Sequence, residues 1–206
     1  MQNMFKNVHS KRFLLTYLGL VVFLLLLFLT LNQQQPVDIP KTDRSMVTVF
    51  DPTVEVPQFL AYSTDNTVFT NDALTGKWSF VFIPSADCLD CDAVFRVLRN
   101  LKDGLADRSV QLVVSTTDLQ SDKLLGLSQL QNLDARIITP SGSLKEQEEW
   151  TAFFTTSSSF SYQDLNHTVF LINPKAMLVA GFQAPFTSVF IRQSFIQLRS
   201  QYALKH

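Results

Sequence analysis

Residues 79–95 read Ser79-Phe-Val-Phe-Ile-Pro-Ser-Ala-Asp-Cys88-Leu-Asp-Cys91-Asp-Ala-Val-Phe95. Ser79 to Ile83 is a short apolar run ended by Pro84, the pattern of a buried strand and its turn. Val94, Leu98, Leu101 and Leu105 then recur at i, i+4, i+7 and i+11, one face of a helix. The two cysteines therefore stand at a strand-to-helix junction. There the aligned peptide dipoles and free N–H groups favour a thiolate. They are the only cysteines of the chain, so neither is left for a bridge elsewhere. Three uses are open: exchanging electrons, holding a soft metal, or closing a turn as an inert disulfide. The last is the bland reading, and so small a loop constrains the unfolded chain little.

Working outward, the flanks resolve into alternating elements. Upstream, Pro57 to Phe69 alternates around Ser63-Thr-Asp-Asn and predicts a hairpin. Asn71 to Gly76 is a connector. Downstream, Val110 to Thr117 is rich in β-branched residues and predicts a second buried strand. Ser121 to Leu133 has helical spacing, and Ala135 to Thr139 is a short strand. Ser143 with Glu146 predicts a capping box, opening a helix to Phe154 with Trp150 on its inner side. Thr155 to Asp164 is a polar loop. His167 to Ile172 and Met177 to Phe182 are two antiparallel strands joined by a turn at Asn173-Pro174. Ser188 to Tyr202 closes the chain as a helix with Ile191, Phe195, Leu198 and Tyr202 on one face. Phe182, Phe186, Phe190 and Phe195 are read as core. This order is α/β with a mixed central sheet flanked by helices.

The chain has 206 residues, of which 46% are hydrophobic and 17% charged. The N-terminus explains that balance. Phe13 to Leu31 is almost wholly apolar, about 19 residues or roughly 28 Å as a helix, enough to cross a bilayer. The alternative is a cleaved signal peptide. The run is longer than a usual signal core and no A-x-A-like site follows it. The expected organisation is a cytoplasmic tail (1–12), a transmembrane signal anchor (13–31), a tether (32–56) and a folded domain (57–206). Lys6, Lys11 and Arg12 precede the span without an acidic residue, which orients the N-terminus to the cytoplasm and the domain outside it. For a bacterium that means the inner membrane and the periplasm. From Met46 onward 12 Lys and Arg face 16 Asp and Glu, a net charge of −4. With no basic cluster, nucleic acid is excluded as a partner.

Asp87, Asp90 and Asp92 crowd the cysteines, and no cationic side chain appears until Arg96. Carboxylates oppose a nucleophilic thiolate but attract a cation. Asp118 and Asp122 follow a strand end, where N-capping is their ordinary role. His167 opens a strand and is the one histidine outside the two chain ends.

These ordered features resemble the SCO/SenC family of membrane-anchored, thioredoxin-fold copper proteins that help to assemble cytochrome c oxidase. The likeness runs from about Pro57 to Tyr202. Phe59-Leu60 with Thr67-Val-Phe-Thr, and Gly76-Lys77-Trp-Ser-Phe-Val-Phe, are similar to the family's entry hairpin and first core strand. Cys88-Leu-Asp90-Cys91 falls where the family has C-P-D-x-C. Ser115-Thr-Thr-Asp118-Leu-Gln-Ser-Asp122 matches the spacing of S-x-D-P-x-x-D. His167-Thr-Val-Phe-Leu-Ile-Asn173-Pro174 matches H-S-x-x-x-L-I-D-P. The cysteines here are three apart instead of four, with Leu89 for the proline.

The resemblance implies a thioredoxin-like domain with an N-terminal hairpin extension. It also implies copper(I) held by Cys88, Cys91 and His167, with a cytochrome oxidase subunit or another exported thiol protein as partner. Asp87, Asp90, Asp92, Asp118 and Asp122 would be supporting groups. The residues equally allow a thiol-disulfide oxidoreductase with Cys88 and Cys91 as the redox pair, or a non-catalytic interaction module.

Overall fold

A computed structural model describes residues 17–25, 46–85, 88, 91–105, 107–116, 133–141, 144–158 and 160–205. The chain forms two compact units, residues 1–40 and 41–206. In the first, residues 17–25 are helical with exposed side chains. Among the described residues no helix is long and apolar enough to cross a membrane. The remainder of the apolar run 13–31 lies outside them, as do the expected helix over most of 121–133 and the Ser143 cap.

The second unit is built on one sheet of eight strands, in the order β1-β8-β7-β4-β5-β6-β2-β3. The strands are β1 (Val47–Glu55), β2 (Leu60–Ser63), β3 (Val68–Thr70), β4 (Trp78–Phe82), β5 (Val110–Ser115), β6 (Arg136–Pro140), β7 (Thr168–Ile172) and β8 (Met177–Gln183). The helices of this unit are α1 (Asn71–Leu74), α2 (Cys91–Leu105), α3 (Leu144–Ser158), α4 (Tyr162–Leu165) and α5 (Ser188–Lys205). β4 pairs parallel to β5 and antiparallel to β7, so the sheet is mixed.

Every residue of β4, β5 and β7 is buried. That is the signature of strands covered on both faces, and it explains their unbroken apolar runs. Alternation then divides the core in two. Trp78, Phe80 and Phe82 point to one face and pack with Val94, Phe95, Leu98 and Leu101 of α2 and with Ile191 and Phe195 of α5. Val81, Val113 and Phe170 point to the other and pack with Trp150 and Phe154 of α3. Trp150 is inward, as its spacing predicts, and its indole N–H donates to Ser115 Oγ at 2.9 Å. Gly76 enters β4 at a φ of +79°, a backbone region that glycine occupies without a Cβ penalty.

Some expectations change and one is extended. The tether assigned to 32–56 ends early, because Val47–Glu55 is the edge strand β1, antiparallel to β8. Its pairing breaks between Val49 and Val54 around Pro52, which blurs the alternation that would have revealed it. Pro at such a break on an edge strand is compatible with pairing. The predicted hairpin is present as β2–β3, and it extends the same sheet as its opposite edge through β6. The polar stretch 155–164 is mostly helical, because α3 runs to Ser158 and Ser161 caps α4.

Candidate functional site

The site forms where three strands end on one side of the sheet. β4 and β7 run antiparallel and their ladder finishes at Phe82 opposite Val169. The C-terminal end of β4, which leads to the cysteines, therefore lies beside the N-terminal end of β7, which follows His167. The C-terminal end of β8 joins them through Gln183 opposite Thr168.

Beyond Phe82, Ile83 and Pro84 are buried and Ser85 is exposed. The Cys88 N–H donates to the Ser85 carbonyl at 3.2 Å, closing a turn that brings the chain to α2. Cys91 is the first helical residue and is fully buried against Val94, Phe95 and Phe82, whereas Cys88 is half-buried at the margin of that core. The two sulfurs are joined as a disulfide, with their Cα atoms 5.6 Å apart. The helix expected after the cysteines is present and starts at Cys91, and of the open uses the structure shows the pair closed as a disulfide. Asp92 is exposed in the first turn of α2. Asp87, Asp90, Asp118 and Asp122 lie outside the described residues.

His167 is exposed in the turn between α4 and β7 rather than inside the strand. That turn is held from several sides. The His167 N–H donates to the Asp164 carbonyl at 2.9 Å, and its own carbonyl accepts from the Ala184 N–H at 2.8 Å. Thr168 Oγ1 donates to the Asp164 carbonyl at 2.7 Å. Before it, Ser161 and Asp164 form a capping box on α4. The Asp164 carboxylate accepts from the Ser161 N–H and hydroxyl, each at 2.7 Å.

Those hydrogen bonds, chiefly from the Ser161 hydroxyl, hold the Asp164 carboxyl below its ordinary value of 3.8, with a smaller contribution from His167. A depressed carboxyl stabilises the fold fully above the unfolded value and loses that effect as pH falls through the folded one. Ser161→Ala is accordingly expected to cost about 1 kcal/mol near neutrality. The loss should shrink when urea unfolding is repeated at about pH 3, below the ordinary carboxyl value. A loss independent of pH would contradict this account.

Between the cysteine loop and the histidine turn stands Asn166. Its Oδ1 accepts the Ser85 N–H at 2.7 Å and its Nδ2 donates to the Ser85 hydroxyl at 3.0 Å. Two residues 81 positions apart thus tie the cysteine loop to the residue before His167. Neither carried a sequence signal of its own, since a Ser and an Asn in polar turns match no chemical motif. On the other side of the loop, Ile83, Pro84, Ser85, Thr151, Tyr162 and Leu165 line a cavity of about 250 Å³. Its wall brings an apolar surface to within a few residues of Cys88. Among the described residues, no group of three or more His, Cys, Asp or Glu side chains is arranged to hold a metal ion. With the sulfurs bonded to each other, neither offers a thiolate.

The sequence matches the SCO1/SenC family over residues 50–193. No curated protein matches it in a direct sequence comparison. Among solved structures, the fold is similar to yeast Sco1 with copper bound (TM-score 0.52, 16% identity, covering 69% of this chain and 90% of that one). It is similar also to copper-bound ScoI of Arabidopsis thaliana (0.51, 14%, 71% and 98%). The thioredoxin domain of a thiol-disulfide oxidoreductase from Bacteroides vulgatus has the same fold (0.54, 11%, 69% and 94%). At these identities the structures establish the fold, a mixed α/β thioredoxin-like one. The family match spans more than half of the chain and covers the cysteine pair and the histidine together. The chain belongs to the SCO1/SenC family.

Proposed function

We propose that this protein is a copper-binding assembly factor of the SCO type, receiving copper(I) as cargo and delivering it to a cytochrome oxidase subunit. One observation carries the reading: the cysteine loop and the His167 turn share one end of the sheet, bound to each other through Ser85 and Asn166. Two thiolates and an imidazole are soft or borderline donors, the set that suits copper(I). The disulfide form must first be reduced. A dithiol partner attacks the half-buried Cys88 sulfur, the Cys88–Cys91 bond breaks, and Cys91 leaves as a thiolate that takes a proton. The partner's second thiol then displaces Cys88, so the partner is oxidised by two electrons and the pair here is reduced by two. Binding of copper(I) then releases the two thiol protons.

The apolar run 13–31 supports a membrane anchor, and the positive charges before it support an exported domain at the bacterial inner membrane. A C-terminal reporter that is active only outside the cytoplasm is expected to be active; an inactive one, with a cytoplasm-only reporter active at the same position, would refute that orientation. For the metal, the full-length protein in detergent is reduced and titrated with copper(I) against a chromophoric chelator. About one equivalent is expected to bind, and none above background in the Cys88→Ser, Cys91→Ser variant. Equal binding by both would remove the copper reading.

A second reading is favoured by the closed disulfide itself, the oxidised end of a redox cycle. In it the protein is a thiol-disulfide oxidoreductase for exported thiols, with Cys88 attacking and Cys91 resolving. A redox titration decides it. A pair that stays oxidised at strongly reducing potentials and passes no electrons to partner thiols excludes this role.

A further inference from the structure

The ladder between β4 and β7 stops at Phe82 and Val169, so among the described residues strand pairing does not hold residues 83–85 or Cys88. The Asn166 amide does. It meets two polar groups of Ser85, the backbone N–H at 2.7 Å and the hydroxyl at 3.0 Å. Ser85 in turn accepts the Cys88 N–H at 3.2 Å. A continuous path therefore runs from Cys88 through Ser85 to Asn166 and, by one peptide bond, to His167. A side-chain amide carries an acceptor and a donor on one plane, which suits such a two-point contact. The far end of the path is anchored separately, by Asp164 and Ala184 on the His167 backbone and by the Ser161–Asp164 capping box.

The importance of this path lies in the reduced state. While the disulfide is closed, the bond to Cys91 holds Cys88 covalently. When it opens that covalent tie is lost, and the contacts of Cys88 seen here are its packing at the core margin and its hydrogen bond to Ser85. We propose that Asn166 is a positioning residue, which keeps the cysteine loop registered against the His167 turn after the disulfide is reduced. Its consequence for copper rests on the function proposed above; the clamp itself does not.

The test uses the full-length protein, reduced, as wild type and as Asn166→Ala, Asn166→Asp, His167→Ala and the Asn166→Ala, His167→Ala pair. Amide hydrogen exchange at Ser85 and Cys88 is the first readout. Both amides should exchange about tenfold faster in Asn166→Ala, with the β4–β5 core unchanged, and as in wild type in His167→Ala. Asn166→Asp retains an acceptor for the Ser85 N–H and should restore most of the protection, which separates the clamp from a folding defect. Equal exchange in wild type and Asn166→Ala overturns the proposal whether or not copper binds.

Copper(I) affinity is the second readout. Loss of a residue that orients a ligand costs on the order of tenfold, so Asn166→Ala should bind about tenfold more weakly. In the His167→Ala background the same change should add nothing. Undiminished loss in that background would show that Asn166 does not act through the histidine turn and would overturn the positioning role. If the wild type binds no copper(I), the proposed function fails and the exchange rates alone decide the clamp.

Discussion

Phe82→Ala is expected to lower the free energy of unfolding by about 3–5 kcal/mol, the usual cost of emptying a buried phenylalanine site. Phe82 is the last residue of β4 and has no solvent exposure. Its ring meets that of Phe95 edge to face, with centroids 5.4 Å apart and planes at 82°. Such a pair adds roughly 0.5–1.5 kcal/mol beyond the area it buries. Phe95 is one helical turn after Cys91, so the same contact that fills the core also fixes where α2 begins. A void here cannot be filled by the strands, which are hydrogen-bonded on both sides to Val114 and Val169. Urea unfolding monitored by tryptophan fluorescence measures the loss. Phe82→Leu, which keeps most of the volume, should cost under about 1.5 kcal/mol. A loss below roughly 1 kcal/mol for the alanine variant, about a third of the expected minimum, would mean that α2 is positioned otherwise.

The reduced protein is expected to be alkylated at Cys88 on the order of tenfold or more faster than at Cys91. Both thiols stand near the N-terminus of α2, so position along the helix does not separate them. What separates them is access. Cys91 is fully buried among Phe82, Val94 and Phe95, whereas Cys88 is only half-buried. Reactivity needs both a thiolate and a path for the reagent. Iodoacetamide labelling of Cys88→Ser and Cys91→Ser after reduction, followed by mass spectrometry, reads the two rates separately. Similar rates would show that reduction exposes Cys91, and the attacking and resolving roles would then lose their physical basis.

Much of the site was legible because its signals are local. Two cysteines three residues apart can reach one another wherever they sit at a helix start. The apolar runs of β4, β5 and β7 announce strands covered on both faces, and α2 declares its inner face by its spacing. The histidine was singled out as the one away from the chain ends and at the start of a strand, and its match to a family segment then made it a candidate ligand. Its place beside the cysteine loop depends on β4 pairing antiparallel with β7, a contact between residues some ninety positions apart that no local pattern encodes.

The same distinction accounts for what was missed. β1 is an edge strand interrupted around Pro52, so its pattern carries neither a clean period of two nor a continuous apolar run. The helical start at Tyr162 rests on a Ser161–Asp164 box inside a stretch whose composition reads as loop. Ser85 and Asn166 are ordinary polar residues until the sheet brings them together.

By itself the sequence determined the local chemistry: a cysteine pair at a strand-to-helix junction, an apolar N-terminal run, an acidic domain, and the alternation of strands and helices. Backbone propensity and side-chain periodicity act over a few residues, so they survive in the linear order. Only the tertiary structure decided that Cys91 is buried while Cys88 is not, that His167 stands in an exposed turn, and that Asn166 joins that turn to the cysteine loop. Burial and long-range hydrogen bonds depend on which strands pair, and strand pairing is settled by packing of the whole sheet between its helices.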